Sequence, residues 1–308
     1  MSVPATRTLP VNEESLAEAA RLVLAGQPVA VPTETVYGLA ADATNGEAVA
    51  RVYAAKGRPS FNPLIVHVPD LSAARDIGDF EDEALKLAEQ HWPGPLTLIV
   101  PLKEGTGIAS LVTAGLPTIA LRVPAHPTMQ ALLRKCGRPL AAPSANASGR
   151  ISPTRAEHVL ASLDGRIALV LDGGSTERGI ESTIIAAGGG RLRLLRPGPL
   201  LVEGAQPVAT GSVEAPGMLA SHYAPTKPVR LDAVERRAGE WLIGFGEVKG
   251  DATLSASGDL IEAASNLFAA LHQADKQSAG SISVAPIADV GLGIAINDRL
   301  RRAAAARS

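Results

Sequence analysis

The chain has 308 residues, a formal net charge of −2 and 46% hydrophobic residues, which suits one large domain and one small one. The near-zero charge gives no global case for a nucleic-acid or membrane surface, and an aromatic content of 3% argues against stacking on single-stranded nucleic acid. The single cysteine, Cys136, excludes an internal disulfide and a cysteine-rich metal site. No secretory-signal pattern or membrane-length apolar run is present, so we expect a cytoplasmic protein without a membrane partner.

Short apolar segments rich in β-branched residues alternate with amphipathic patterns in the first two thirds of the chain. The predicted helices are 13–25, 46–56, 81–91, 127–136 and 154–163, the last with Ser152 as its cap and Pro153 at its first position. The predicted strands are 28–32, 63–68, 96–102, 118–124, 139–143, 168–174, 182–187 and 192–198. Because the last three strands follow one another without a helix, we predict a mixed α/β sheet.

A change of composition divides the chain. Residues 206–228 are rich in Pro, Gly, Ser and Ala, which predicts a linker. An α/β alternation then resumes, with predicted strands at 228–231, 240–246 and 281–286 and predicted helices at 259–274 and 289–305. We therefore predict a large domain over 1–205, a linker over 206–228 and a small α/β domain over 229–308.

The motifs of several common enzyme classes are missing from the sequence. It contains no G-x-x-x-x-G-K-[ST], no complete G-x-G-x-x-G, no H-E-x-x-H and no G-x-S-x-G. The six histidines are scattered, which disfavours a zinc site. P-loop kinases, dehydrogenases and the usual hydrolases are therefore disfavoured.

Polar clusters stand instead at the predicted strand ends, where open α/β sheets usually bind ligands. Each cluster also has a plain structural explanation. The stretch "VPTETVYGLAAD" (31–42) can be a capped turn before a helix-like run, and Lys56 and Arg58 can be cations that suit a helix C-terminus. Arg122, inside an apolar strand, needs a carboxylate partner from the protein or from a ligand.

Two further clusters complete the set. The segment "AAPSANASGRISPT" (141–154) can be a long N-cap turn or a loop whose backbone N–H groups approach an anion. The segments "GIESTII" and "LRLLRPG" supply Ser182, Thr183 and Arg196. Together the clusters offer hydroxyls, an amide and several cations, which suits a polyanion held by Arg and Lys beside a small zwitterion.

In this order the motifs "PTETVYGLA", "KGRPSFNPLIVH", "WPGPLTL", "LRVP", "PSANASGRISPT", "ESTII" and "RPG" closely resemble the threonylcarbamoyl-AMP synthase (YrdC-like) family over residues 12–205. The linker "APGMLASHYAP" and the α/β tail resemble its longer, two-domain form. The resemblance implies an open twisted mixed sheet around a large basic cavity, followed by a smaller Rossmann-like domain. It implies that L-threonine, bicarbonate or CO₂ and ATP give threonylcarbamoyl-AMP and pyrophosphate. A transfer machinery then uses this product for the N6-threonylcarbamoyl modification of adenosine in tRNA.

The resemblance also implies roles for individual residues. Those matching the family's L-threonine site are Thr35, His67, Arg122, Ala142 through its backbone, and Ser182. Those matching or close to its ATP site are Lys56, Arg58, Asn62, Thr118, Ser144, Asn146, Ser152, Arg196, His222 and Tyr223, with the last two in the linker, which would close over the nucleotide as a lid. Thr33 and Glu34 are expected to shape the turn, and Tyr37 and Gly38 to form the cavity floor.

The implied chemistry needs no protein nucleophile, because the threonine carbamate attacks the α-phosphorus of ATP. We expect Mg²⁺ to accompany ATP and assign no metal ligand among the side chains. The main alternative is a tRNA- or double-stranded-RNA-binding module without this catalysis, which steep salt dependence would reveal. A carbamoyltransferase that adenylates carbamoyl phosphate and a small-molecule sensor are further alternatives.

Overall fold

The computed structural model describes residues 5–208, 214–216 and 222–305. The helices are α1 (Glu13–Leu24), α2 (Gly46–Lys56), α3 (Leu71–Ile77), α4 (Asp82–His91), α5 (Ser110–Thr113), α6 (Pro127–Cys136), α7 (Ala156–Leu163), α8 (Leu260–Lys276) and α9 (Leu292–Ala304). The strands of the first domain are β1 (Arg7–Pro10), β2 (Val29–Val31), β3 (Gly38–Asp42), β4 (Ile65–His67), β5 (Leu96–Pro101), β6 (Thr118–Arg122), β7 (Leu140–Ala141), β8 (Leu169–Asp172), β9 (Thr183–Gly188), β10 (Arg191–Arg196) and β11 (Gln206–Pro207). Four more strands follow, β12 (Val229–Arg230), β13 (Glu240–Gly244), β14 (Ala252–Thr253) and β15 (Ser281–Val284).

The first domain is built on one large mixed sheet. Within the described residues its strand order is β1-β8-β2-β3-β7-β4-β6-β5-β9-β10-β11. Strands β4 and β6 are parallel, as are β5 and β9, whereas β5 and β6 are antiparallel. The prediction of a mixed sheet is confirmed.

Local sequence signals set the ends of several helices. Asn12 and Ser15 form a reciprocal capping box at the start of α1. Helix α2 ends at Gly57, whose φ of 60° is left-handed, and such a cap favours glycine because it has no Cβ to clash. This glycine turns the chain directly into the loop that carries Arg58.

One strand was not predicted, and one predicted helix boundary is wrong. Residues 38–42 of the opening stretch form strand β3, and pairing with β2 and β7 buries all five of them. Helix α7 begins at Ala156 with Arg155 at its cap position, two residues later than predicted. Ser152 therefore does not cap it; its hydroxyl donates to the Glu181 carboxylate.

Successive side chains of β6 point to opposite faces of the sheet. Ile119 and Leu121 belong to the main hydrophobic core under the helices. Ala120 belongs to a smaller apolar cluster on the opposite face, and Thr118 and Arg122 share that face because side chains alternate along a strand. The sheet thus presents one face to the core and the other to a pocket.

The C-terminal domain is a small sheet of parallel strands in the order β12-β15-β13-β14, which agrees with the expected Rossmann-like architecture. Helices α8 and α9 supply most of its core, including Leu267, Phe268 and Ile296. Val36 and Ile151 of the first domain belong to the same core. Apolar packing is therefore continuous between the two domains.

The predicted linker is partly structured. Its first residues form β11, which pairs with β10 at the edge of the large sheet. Residues 209–213 and 217–221 of the linker lie outside the described residues. Beyond them, the Ala224 N–H donates to the Gly149 carbonyl at 2.8 Å, and Thr226 donates to Asp275 of α8. The second half of the linker is thus tied to both domains. No helix in the described ranges is long and apolar enough to cross a membrane.

A buried histidine pair joins the domains. The rings of His158 (α7) and His272 (α8) stack with their centroids 3.9 Å apart. Burial, reinforced by the neighbouring His272 ring, lowers the pKa of His158 to about 3, and burial lowers the pKa of His272 to about 4. Both values lie below the unfolded value of about 6.5. As the pH falls the unfolded chain therefore binds protons first, and stability present above pH 6.5 is lost below it.

We therefore expect the free energy of unfolding to fall by about 1.5 kcal/mol for each of these rings between about pH 6.5 and about pH 5. In the double variant H158Q/H272Q the free energy of unfolding, measured by denaturant titration at several pH values, should no longer show this fall between about pH 6.5 and about pH 5. His91→Gln at the end of α4 is the matched control and should keep it. An unchanged slope in the double variant would contradict the assignment.

Candidate functional site

A polar pocket lies over the face of the sheet opposite the main core, at the ends of several strands. Ten of the residues that the resemblance assigns to the threonine and ATP sites line it: Thr35, Arg58, His67, Arg122, Ala142, Ser144, Ser182, Arg196, His222 and Tyr223. Distant parts of the chain meet here because the strands that carry them are neighbours in the sheet. His67 and Arg122 are paired in register at the ends of β4 and β6, and Ala142 follows β7, which pairs with β4 on its other side.

Arg122 is the best-anchored cation of the pocket. Its Nη1 donates to the Thr35 hydroxyl at 3.0 Å, its Nη2 to the Glu34 carboxylate at 2.5 Å and its Nε to the Gly94 carbonyl at 3.3 Å. Both ion-pair partners are buried, at 4% and 6% side-chain exposure. Burial alone would raise the pKa of Glu34, but the charge and hydrogen bond of Arg122 hold it below its usual range. The guanidinium is therefore fixed in place, as a carboxylate-binding fork requires.

The turn that carries Thr35 is held by its own side chains. Thr33 accepts from the backbone N–H of Thr35 at 3.2 Å and donates to the Val36 carbonyl at 2.6 Å. Its hydroxyl also lies 2.9 Å from the Thr35 hydroxyl. Thr33 and Glu34 thus shape the turn, as expected, and Glu34 additionally fixes Arg122.

Ser182 and Arg196 connect the two halves of the pocket. The Arg196 guanidinium donates to the Ser182 carbonyl through Nε at 3.0 Å and through Nη2 at 2.9 Å, and to the Ser182 hydroxyl at 3.0 Å. The same hydroxyl lies 2.7 Å from that of Thr97 on β5. A residue predicted for the amino-acid site therefore contacts one predicted for the nucleotide site.

Two buried cations, Lys56 and Arg196, and the partly buried Arg58 have no carboxylate partners in the described part of the chain. Lys56 donates to the Ser144 and Asn146 carbonyls at 2.6 and 2.5 Å, and Arg58 to the Asn62 and Pro63 carbonyls. Neither they nor Arg196 has an ion-pair partner within the described part of the chain. Burial, together with the neighbouring Arg58 charge, lowers the pKa of Lys56 well below its usual value, and burial lowers the pKa of Arg58 to about 10. An anion entering the pocket would supply the missing charge.

Several buried polar atoms here have no hydrogen-bond partner among the described residues. They include His67 Nδ1, Asn62 Oδ1, Asn146 Oδ1, His222 Nδ1 and the Tyr223 hydroxyl. Most buried polar groups in folded proteins are hydrogen-bonded, so a cluster of unpaired ones requires an explanation. A polar ligand that completes their hydrogen bonds is the explanation that also accounts for the cations.

The pocket has little free space in this structure. Its free volume is about 40 Å³, room for a water molecule or two, whereas pockets for nucleotide-sized ligands measure about 300–1,000 Å³. His222, Tyr223 and Pro216 of the predicted linker line it, and Pro216 accepts from Arg196 at 3.4 Å. The described residues thus leave much less free space than the large cavity that the resemblance implies.

The remaining predicted residues lie around the pocket rather than in its lining. Lys56 and Asn146 stand behind Ser144, and Asn62 accepts from Arg58 through its carbonyl. Ser152 is joined to Glu181, which does line the pocket. Thr118 shares a face of β6 with Arg122 but sits at the other end of the strand, about 13 Å away.

One expected floor residue is placed differently. Gly38 lines the pocket, but Tyr37 does not: its ring is in the main core, and its hydroxyl donates to the Gly174 carbonyl at 2.7 Å. Residues 37 and 38 point to opposite sides at the start of β3. The lining residues that sequence reasoning missed include Glu181, which stands directly before Ser182 in "GIESTII".

No cluster of His, Cys, Asp or Glu able to hold a metal ion occurs in the described ranges. The two buried carboxylates near the pocket, Glu34 and Glu181, are each paired with an arginine.

The fold and the pocket define a two-domain α/β protein in which cations and hydroxyl groups from distant parts of the chain line one pocket. The Sua5/YciO/YrdC family model, described as "Telomere recombination", matches residues 21–198, and the model for the threonylcarbamoyl-AMP synthase C-terminal domain matches residues 180–305. The chain belongs to this family, in its two-domain form.

Individual relatives agree over nearly the whole length. The threonylcarbamoyl-AMP synthase of Bacillus subtilis is 40% identical, with 99% of this chain and 97% of the relative covered. That of Pyrococcus abyssi is 37% identical, with 96% of each covered. Among solved structures, P. abyssi Sua5 complexed with L-threonine has a TM-score of 0.88 at 35% identity and covers 97% of this chain and 96% of its own.

Proposed function

We propose that this chain is a threonylcarbamoyl-AMP synthase, which forms threonylcarbamoyl-AMP and pyrophosphate from L-threonine, bicarbonate or CO₂ and Mg²⁺–ATP. The observation that carries the proposal is the convergence of the anchored Arg122 fork with Arg58 and Arg196, which line the same pocket without carboxylate partners in the described part of the chain, and with Lys56 behind Ser144. Near full-length relatives with this name support it.

The threonine end of the site is assigned to the ends of β4 and β6. The Arg122 guanidinium would bind the carboxylate of threonine, since charge-assisted pairs of this kind are the strongest hydrogen bonds in proteins. Burial and the Arg122 charge lower the pKa of His67 to about 3. His67 is therefore neutral, and its free Nδ1 suits a hydrogen-bond acceptor for the hydroxyl or the amine.

The nucleotide end is assigned to Lys56, Arg58 and Arg196. These cations would surround the phosphates and stabilise the charge that develops at the α-phosphorus. Mg²⁺ would arrive on ATP as part of the substrate, because both carboxylates at the pocket are already paired.

The proposed reaction requires only that the site holds the two substrates in the right relative position. The amine of threonine adds to CO₂, loses a proton and becomes a carbamate; a carbamate oxygen attacks the α-phosphorus, and pyrophosphate leaves with the electron pair of the broken P–O bond. The Arg196–Ser182 contact brings the two ends together. Holding the reactants in line can lower the barrier by about 7–11 kcal/mol, so no protein nucleophile is needed.

The small free volume of the pocket suggests how water is kept away from the adenylate. His222 and Tyr223 cover the nucleotide end, so we infer that the linker moves aside to admit ATP and returns over the adenylate, which water would otherwise hydrolyse. The product is expected to pass to the tRNA threonylcarbamoyl-transfer machinery.

The proposal is tested by measuring pyrophosphate release from ATP, Mg²⁺ and bicarbonate with and without L-threonine. We expect release to depend on threonine and to be far slower with L-alanine, because alanine lacks the hydroxyl assigned to Thr35, His67 and Ser182. Release at the same rate in all three mixtures would refute the assignment. Binding of double-stranded RNA with a steep salt dependence, and no release, would favour the alternative of an RNA-binding module.

A further inference from the structure

One side chain of the C-terminal domain reaches the pocket wall of the first domain. Arg299 of α9 is fully buried, with 0% side-chain exposure. Its Nε donates to Glu181 Oε2 at 3.1 Å, its Nη2 to the Glu181 carbonyl at 3.3 Å, and its Nη1 to the Pro197 carbonyl. All three guanidinium nitrogens are thus bound to the other domain.

These contacts fall beside two residues of the proposed site. Glu181 directly precedes Ser182, and Pro197 directly follows Arg196. The two segments are in backbone contact, because a Cβ added to Gly198 would lie 2.4 Å from the Thr183 nitrogen. A single guanidinium therefore fixes both segments at once.

Arg299 also determines the charge at the nucleotide end. Glu181 lines the pocket, and an unneutralised carboxylate there would repel ATP phosphates. Arg299 neutralises the Glu181 carboxylate and donates to one of its oxygens, and the Ser152 hydroxyl donates to the other. The pair thus orients Ser152 and keeps the pocket suited to an anion.

The same guanidinium contacts the linker. Its Cζ lies 5.5 Å from the centroid of the Tyr223 ring, within cation–π range. The Tyr223 ring also contacts the ring of Phe268 of α8, with centroids 5.5 Å apart, and that of His222, with centroids 4.0 Å apart. Tyr223 has a φ of 61°, a left-handed conformation that costs about 1–3 kcal/mol for a non-glycine residue and persists only when its surroundings hold it.

We propose that Arg299 is a positioning residue through which the C-terminal domain completes the nucleotide end of the site. It acts by neutralising Glu181, by orienting Ser152 and by seating Tyr223. The proposal rests on the proposed function for the identity of the nucleotide, and it assigns the C-terminal domain a direct part in substrate binding.

The test separates positioning from stability with three variants of the full-length chain. Arg299→Met leaves Glu181 buried and unpaired, whereas the double variant R299M/E181M replaces both charges by apolar groups, which is often neutral for stability. Arg301→Met, at an exposed ion pair on the same helix, is the matched control. Thermal unfolding and ATP binding by calorimetry are measured for each, together with L-threonine binding.

We expect Arg299→Met to weaken ATP binding about 10- to 100-fold and to lower the unfolding temperature. The double variant should regain the unfolding temperature while ATP binding stays weak, because Ser152 and Tyr223 have still lost their partners. Threonine binding should change less than ATP binding in both variants, and R301M should match the unmodified chain throughout.

Recovery of ATP binding together with stability in the double variant would overturn the proposal, since Arg299 would then be structural only. An equal loss in R301M would overturn it as well. Calorimetry measures ATP binding without any turnover. If the unmodified chain released no pyrophosphate in response to threonine, the proposed function would fail, but the ATP affinities of the variants would still decide whether Arg299 is a positioning residue.

Discussion

Arg122→Gln is expected to abolish threonine-dependent pyrophosphate release and to weaken threonine binding by about 100-fold or more. The physical reason is the loss of a charged two-point contact to the substrate carboxylate, in which each charged hydrogen bond contributes about 1.5–3 kcal/mol. Calorimetry with L-threonine measures the effect directly.

The variant must be shown to be folded, because Arg122 also pairs with buried Glu34. Removing one member of a buried pair costs about 3–5 kcal/mol of stability. The double variant R122Q/E34Q removes both charges; it should be more stable than R122Q and equally unable to bind threonine. Arg134→Gln on α6, where the guanidinium is exposed, is the control. Threonine affinity within the error of the unmodified chain in R122Q would remove Arg122 from the site.

Arg58→Met is expected to weaken ATP binding without destabilising the fold. Arg58 is partly buried and donates only to backbone carbonyls, and burial lowers its pKa to about 10, so the empty protein carries an unfavourable charge. Methionine should leave the free energy of unfolding unchanged or up to about 2 kcal/mol higher. ATP binding should fall by about 10- to 100-fold, because a charged hydrogen bond to phosphate is lost.

Denaturant titration and nucleotide binding are measured on the same preparation. Arg21→Met on α1, where the side chain is 70% exposed, is the matched control and should change neither quantity. A destabilised R58M that binds ATP normally would show that Arg58 supports the fold and has no part in nucleotide binding.

Much of the fold could be predicted from the sequence because its long periodic segments are consistent with their surroundings. Helix α2 was predicted with its observed bounds, since apolar spacing, Asn45 and Gly57 all favour the same helix. Strand β3 was not predicted, because Gly, Ala and Asp, which make up most of it, are depleted in strands. Burial between β2 and β7 outweighs that preference, and no local pattern reveals which strands will be neighbours.

The site was predictable where residue chemistry is unusual and unpredictable where it depends on partners. A strand-interior arginine such as Arg122 requires a counter-charge wherever it lies. That the counter-charge is Glu34, and that Glu181 faces Arg299 from the other domain, depends on tertiary contacts between residues 88 and 118 positions apart. The ligand identities came from the ordered set of motifs, not from any single residue.

The mass of the nucleotide product tests the central claim most directly. The unmodified chain is incubated with Mg²⁺–ATP, L-threonine and bicarbonate labelled with a heavy carbon isotope, and the products are separated and weighed by mass spectrometry. We predict an adenylate with the mass of threonylcarbamoyl-AMP that carries the label, formed in step with pyrophosphate. An unlabelled threonyl adenylate, or ATP cleaved with no threonine-containing nucleotide, would contradict the account.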